Sequence, residues 1–130
     1  MTDEARRTLN RLVAERVLGY EVDDGPYGPQ IRVPTGIGSD WDWGMLPDYA
    51  GDIRAAWEVV DKLRQAGWLA ILYLRRGDGG VRAAYQRDPL DAPVLREDCP
   101  NGPYCDAVAP TAPEAICRAA LQALGVEVPV

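Results

Sequence analysis

No histidine occurs in the 130 residues. That one absence removes the commonest general base, the commonest metal ligand and the Ser-His or Cys-His nucleophile pair together, so most hydrolase designs become hard to build. Long apolar runs are missing too: nothing approaches the roughly 18–20 consecutive residues of a membrane span. The start, Met1-Thr2-Asp3-Glu4, is acidic where a signal peptide is basic, which predicts a cytoplasmic protein. Positive charge is short, with 14 Lys and Arg against 20 Asp and Glu, and the net charge of −6 repels nucleic-acid backbones. General DNA or RNA binding is therefore disfavoured. The clusters Arg6-Arg7-Arg11 and Arg75-Arg76 read first as solvated arginines, although a local basic pocket can hold a small phosphate against the global sign.

Cysteine is scarce: Cys99, Cys105 and Cys117 cannot all pair within one chain, and a cytoplasm keeps thiols reduced. Cys99 and Cys105 share a turn-rich loop, which leaves free thiols or a reversible disulfide open. Zinc wants four ligands, and the chain offers no histidine and one further cysteine in a helical stretch, so no metal site is assigned. There is no Gly-rich phosphate loop, no internal repeat and no catalytic set, and no cofactor is implied.

What is present is an ordinary globular composition, 47% hydrophobic and 26% charged, over a length that suits one domain spanning residues 1–130. Ala5, Leu9, Leu12, Val13 and Val17 recur at helical spacing from a Thr2 N-cap to Leu18, and Gly19 stops the helix. The stretch to Ala50 is rich in Gly, Pro and Asp and reads as a long loop with short β-capable pieces at Tyr20–Val22 and Gln30–Val33. Ile53, Ala56, Trp57, Val60 and Leu63 form the stripe of a second helix ending at Gly67. Trp68–Leu74 is a continuous apolar run, as in a strand covered on both faces, and Arg76-Gly-Asp-Gly-Gly80 is hairpin chemistry leading to a returning strand over Val81–Gln86. Residues 87–110 hold five prolines and read as a second long loop. The last helix is announced by a capping box, Thr111-Ala-Pro-Glu114, and ends at Gly125. The fold class is α+β: a small antiparallel or mixed sheet flanked by helices, an α-β-α sandwich, with two long irregular loops at 23–50 and 87–110.

Three blocks, Leu12-Val-Ala-Glu-Arg-Val-Leu-Gly-Tyr20, Pro47-Asp-Tyr-Ala-Gly-Asp-Ile-Arg-Ala-Ala-Trp-Glu-Val-Val-Asp-Lys-Leu63 and Thr111-Ala-Pro-Glu-Ala-Ile-Cys-Arg-Ala-Ala-Leu121, resemble the phage ABA-sandwich domain family in order and wording. They cover somewhat under a third of the chain and all three helices. The resemblance implies a phage or prophage gene acting in the host cytoplasm and an α-β-α sandwich, and it carries no catalytic residues across. Where the family has Ser-Thr before the second helix this chain has Ala50-Gly51, which leaves Asp48 or Asp52 to serve that helix end.

The residues singled out for chemistry are Trp41 and Trp43, two indoles in a Gly- and Pro-bounded loop. They either contact a ligand or partner, or lid the core. Trp57 and Trp68 read as core, and Tyr27, Tyr49 and Tyr104 as loop anchors or pocket walls. With Arg32, Arg54, Arg75, Arg76 and Tyr49, the indoles compose a binding site for a nucleotide-like signal or a host protein. That suits a non-catalytic phage accessory protein that counters host defence. Two other readings stand beside it: a metal-dependent phosphodiesterase built on Asp40, Asp42, Asp48 and Asp52, and a structural or assembly protein forming a homo-oligomer.

Overall fold

The structure, a computed structural model, describes residues 2–34, 41–74, 80–87 and 104–127. Helix α1 spans Asp3–Leu12, capped by the Thr2 hydroxyl, which accepts from the Ala5 amide at 3.1 Å. It runs on as a π-helical turn, Val13–Val17, in which the Leu18 amide donates to the Val13 carbonyl five residues back. Val13, Ala14 and Val17 are all buried there, and Gly19 ends the segment at φ +74°, a conformation other residues take at a cost.

Among the described residues two three-stranded antiparallel sheets follow. Sheet A joins β1 (Val22–Gly25), β2 (Gly28–Pro34) and β3 (Trp41–Met45); sheet B joins β4 (Trp68–Leu74), β5 (Val81–Arg87) and β6 (Tyr104–Ala109), each in sequence order. Helix α2 (Ile53–Gln65) lies between them in the chain and α3 (Ala112–Ala123) ends it. The result is an α+β sandwich of helices and antiparallel sheets. Helix α3 packs on β5 and β6 and against α2, α1 and the π-helical turn, while α2 packs on β4. Helix α3 is buried through Pro113–Cys117, Ala119–Leu121 and Ala123.

Several local expectations change. Strands β3 and β6 lie inside the stretches that turn chemistry marked as loops, because Gly, Pro and Asp density outweighed the alternation of large and small side chains. The first strand begins at Val22, two residues later than its β-capable piece suggested. Strand β4 is not covered on both faces: Leu69 and Leu72, on opposite faces, are 45% and 42% exposed. Thr111 makes no side-chain cap. Glu114 turns instead to Arg118, 2.9 Å away, so the capping box does not form. The 76–80 turn falls largely outside the described residues, but β4 and β5 pair antiparallel across it from Trp68↔Arg87 to Leu74↔Val81. Cys99 also lies outside the described residues, while Cys105 and Cys117 are both buried.

One polar contact fixes the start of α2. Asn10, buried on α1, donates from Nδ2 to Asp48 Oδ1 at 2.9 Å and accepts the Ala50 amide at 2.8 Å. The Asp48 carbonyl takes the Gly51 and Asp52 amides, and the Asp48 carboxylate sits where a Cβ on residue 51 would stand. Glycine at 51 is thus what lets Asp48 fold back, and Asp52, accepting from the Arg54 amide at 3.0 Å, caps α2.

Asn10→Ala leaves the buried Ala50 N–H without its partner and is expected to cost about 1–3 kcal/mol. Arg6→Ala removes two exposed ion pairs, with Asp48 at 3.5 Å and with Asp3 at 3.6 Å, and is expected to cost under about 1 kcal/mol. Urea unfolding with an unchanged m-value measures both.

Candidate functional site

Strand alternation in sheet A sorts its side chains. Ile31 is the fully buried residue among those described there, and Val22 and Val33 pack beside it against the core. The opposite face carries Gln30 and Arg32 on β2 and, opposite them in register, Met45 and Trp43 on β3. Glu21 completes one row: the Arg32 amide donates to its carbonyl at 3.1 Å, and the Arg32 guanidinium lies 3.3 Å from its carboxylate. Asp23 stands opposite Gln30 in the next row. The face therefore grades from carboxylates on β1, through Arg32, to Trp43 and Met45 on β3, which are 45% and 60% exposed. Tyr27 projects from the β1–β2 turn and is almost fully exposed.

Of the residues singled out in the sequence, Trp43 and Arg32 are brought together as direct cross-strand neighbours, the spacing at which side chains interact. Trp41 pairs with Pro34 at the start of β3, and its side chain lies outside the described set. Arg75 and Arg76 lie outside the described residues. Arg54 is exposed on the first turn of α2, away from sheet A in the chain and on a different element. Tyr49 is not a pocket wall but a core residue. Its hydroxyl has no hydrogen-bond partner, and burial, with the nearby Glu58 charge, pushes the phenol well above its usual range. Among the described residues no three carboxylates or thiols come together: Asp42 accepts its neighbour's amide, Asp48 binds Asn10 and Arg6, and Asp52 caps α2.

Sequence reasoning missed a second feature, an apolar groove of about 320 Å³ between α2 and sheet B. Trp57 and Arg64 form its helix side, Ala70 and Leu72 its strand side, and Ala83 and Ile116 its floor. Trp57 is 54% exposed, so it is not the core residue its place in the stripe suggested. The buried stripe is Ala56, Val59, Val60 and Leu63, with Ile53 and Trp57 on its flank. The signal was there: an amphipathic helix needs one apolar stripe, and Ile53 with Trp57 widened it to one side. A polar hollow of about 400 Å³ lies nearby, where Tyr20 donates to Glu58 at 2.5 Å beside Asp61 and Lys62.

Helices over antiparallel sheets in this order define a small sandwich domain. The model of the phage ABA sandwich domain matches residues 11–121, and the chain belongs to that family. It is similar to a phage protein from Bacillus cereus ATCC 14579 solved at 2.0 Å, with 26% identity and a TM-score of 0.62 over 92% of this chain and 90% of that one. None of the curated proteins matches. Among the described residues no helix is long and apolar enough to cross a membrane.

The bond to Glu58, followed by burial and the carboxylate charge, pushes the Tyr20 phenol up to about 12 from its usual 10.0. Burial moves Tyr49 and Tyr85 in the same direction. The folded chain holds these protons more tightly than the unfolded one. The stabilisation is therefore complete below about pH 10 and is lost as pH rises through about 12. Unfolding midpoints measured across that window are expected to fall, and less steeply in Tyr20→Phe.

Proposed function

We propose that the protein is a phage accessory factor without catalytic activity of its own, which docks on and blocks a host protein through the outer face of sheet A. The observation that carries this reading is the row Glu21–Arg32–Trp43 with Met45 beside it. An exposed tryptophan and methionine flank an arginine already held in place, on a sheet whose other face rests on the core. Tryptophan, methionine and arginine are enriched at protein interfaces, and tryptophan and arginine carry most hot-spot energy. A rigid strand also presents them at little entropic cost.

The alternative of sequestering a nucleotide-like signal draws less support from this face. Phosphate recognition needs a cation offered to the ligand, whereas Arg32 is engaged by Glu21, and Asp23 adds further negative charge. A host protein with an apolar patch bordered by basic residues is the partner whose chemistry complements the gradient from Trp43 to Glu21.

The test is quantitative. Proteins retained by the wild-type chain but not by the Trp43→Ala, Met45→Ala double variant are identified and purified, and their affinity for both forms is titrated. The reading expects a loss of about 30-fold or more, the scale of a hot spot, with the melting temperature unchanged. Equal affinity of the two forms contradicts it. So does a stoichiometric nucleotide retained by the freshly purified wild-type protein and lost in Trp43→Ala.

A further inference from the structure

Helix α2 and sheet B do not close on each other along the whole of β4. On the helix-facing side of the sheet two successive rows pair an alanine with a larger residue, Ala70 with Tyr85 and Ala83 with Leu72. The two alanines are diagonal neighbours, so they lower the floor of the sheet at one place. Above them α2 presents Trp57, Val60 and Arg64, and Ile116 of α3 lies at the base; the hollow that results is the groove of about 320 Å³. Protein interiors are packed nearly solid, so a hollow of this size beside an indole that is more than half exposed is not explained by the packing of the core. Its volume reaches the lower end of the range of small-molecule sites, about 300–1,000 Å³.

The chemistry of the groove is apolar with one charge. The Tyr85 hydroxyl is engaged within the protein, donating to the Ile116 carbonyl at 3.4 Å. Among the described residues Arg64 is the one charged side chain in the lining. Its ion pair with Asp61 is 4.0 Å long, and the two side chains are 67% and 66% exposed, so the guanidinium can turn to another anion at little cost. Asp61 is not among the residues that line the groove. Trp57, Val60 and Arg64 follow one stripe of α2 at spacings of three and four residues, which sets the first and last about 10 Å apart along the helix axis.

We propose that this groove binds a small apolar carboxylate. Its hydrocarbon body, about 10 Å long to match the stripe, lies between Trp57 and the floor of Ala70 and Ala83, and its carboxylate meets Arg64. An acyl chain and a fused aromatic ring share this chemistry. The preference for an anion is local: the molecule as a whole carries −6, so its overall field favours a cation, and selection of a carboxylate has to come from Arg64. The groove shares no residue with the outer face of sheet A, so this proposal and the docking of a host protein stand or fall separately.

The experiment titrates decanoate, naphthoate and decylammonium into the full chain below their micelle thresholds. Affinity is read by calorimetry and location by the Trp57 indole N–H resonance, assigned with Trp57→Phe. Binding of either carboxylate that moves this resonance supports the proposal, and the tighter of the two says whether the site takes a chain or a ring. Among acyl chains affinity is expected to rise about fourfold per methylene from octanoate to decanoate. Arg64→Gln is expected to weaken the carboxylate about fivefold. Ala70→Leu fills the groove from an exposed strand position and is expected to weaken binding at least about tenfold, with an unchanged circular dichroism spectrum. A Trp57 resonance that neither carboxylate moves overturns the proposal. So does decylammonium binding as tightly as decanoate, or binding that Ala70→Leu leaves unchanged. Should Ala70→Leu lose its fold, Trp57→Ala, on the exposed flank of α2, is read by calorimetry in the same way.

Discussion

Helix α3 is hemmed in on nearly every side. It lies between the β5–β6 face of sheet B and the helices α1 and α2, with the π-helical turn against it as well. A helix buried all round must be apolar all round, and one approached by both a sheet and helices must also be slim. Ala115, Cys117, Ala119, Ala120 and Ala123 meet that demand, and the bulk of the core comes from Ile116 and Leu121 on the helix itself together with Leu9, Leu63, Tyr49 and Tyr85 on other elements. Tyr85 also donates to the Ile116 carbonyl at 3.4 Å. Glu114 is nearly buried on this helix and is answered by Arg118 one turn on. Burial also pushes the Cys117 thiol up to about 12, which makes it a packing residue rather than a nucleophile.

That arrangement leaves other parts of the chain comparatively free. Sheet A reaches the core through Ile31, with Val22 and Val33 beside it, and an Arg11–Asp24 ion pair ties it to α1. Its outer face therefore contributes little to holding the fold. A tryptophan and a methionine exposed there cost little stability, and their presence needs a reason outside the fold. The same reasoning applies to β4 and Trp57. Helix α2 and sheet B are held by contacts to α3, and the apolar hollow left between them is surplus to the core.

The helices were legible because a 3.6-residue period and glycine stops are local signals: Thr2, Gly19, Asp52, Gly67 and Gly125 do what their positions suggested. The β4–β5 hairpin was legible for the same reason. Strand β3 was hidden because Trp-Asp-Trp-Gly-Met reads as loop by composition, although its large-small alternation is the strand signal. Strand β6 was masked by the four prolines that precede it and the one that follows it. Burial was the hardest property to read. Tyr49 and Trp57 lie eight residues apart in one family block, and which of them is covered depends on α1 and α3, far away in the chain. Of the site, the adjacency of Trp43 and Arg32 could not be read, since it depends on the register of two strands separated by six residues outside the described set.

The central claim is that one cooperative unit built around α3 carries the stability, while sheet A is a less protected layer free to carry recognition. Native-state hydrogen exchange tests it most directly, because amides report the free energy of the opening that exposes them. The account predicts that α3, β5 and the π-helical turn exchange only through global unfolding, and that β1, β2 and β3 exchange earlier through a smaller opening. Protection of sheet A equal to that of α3 would contradict it.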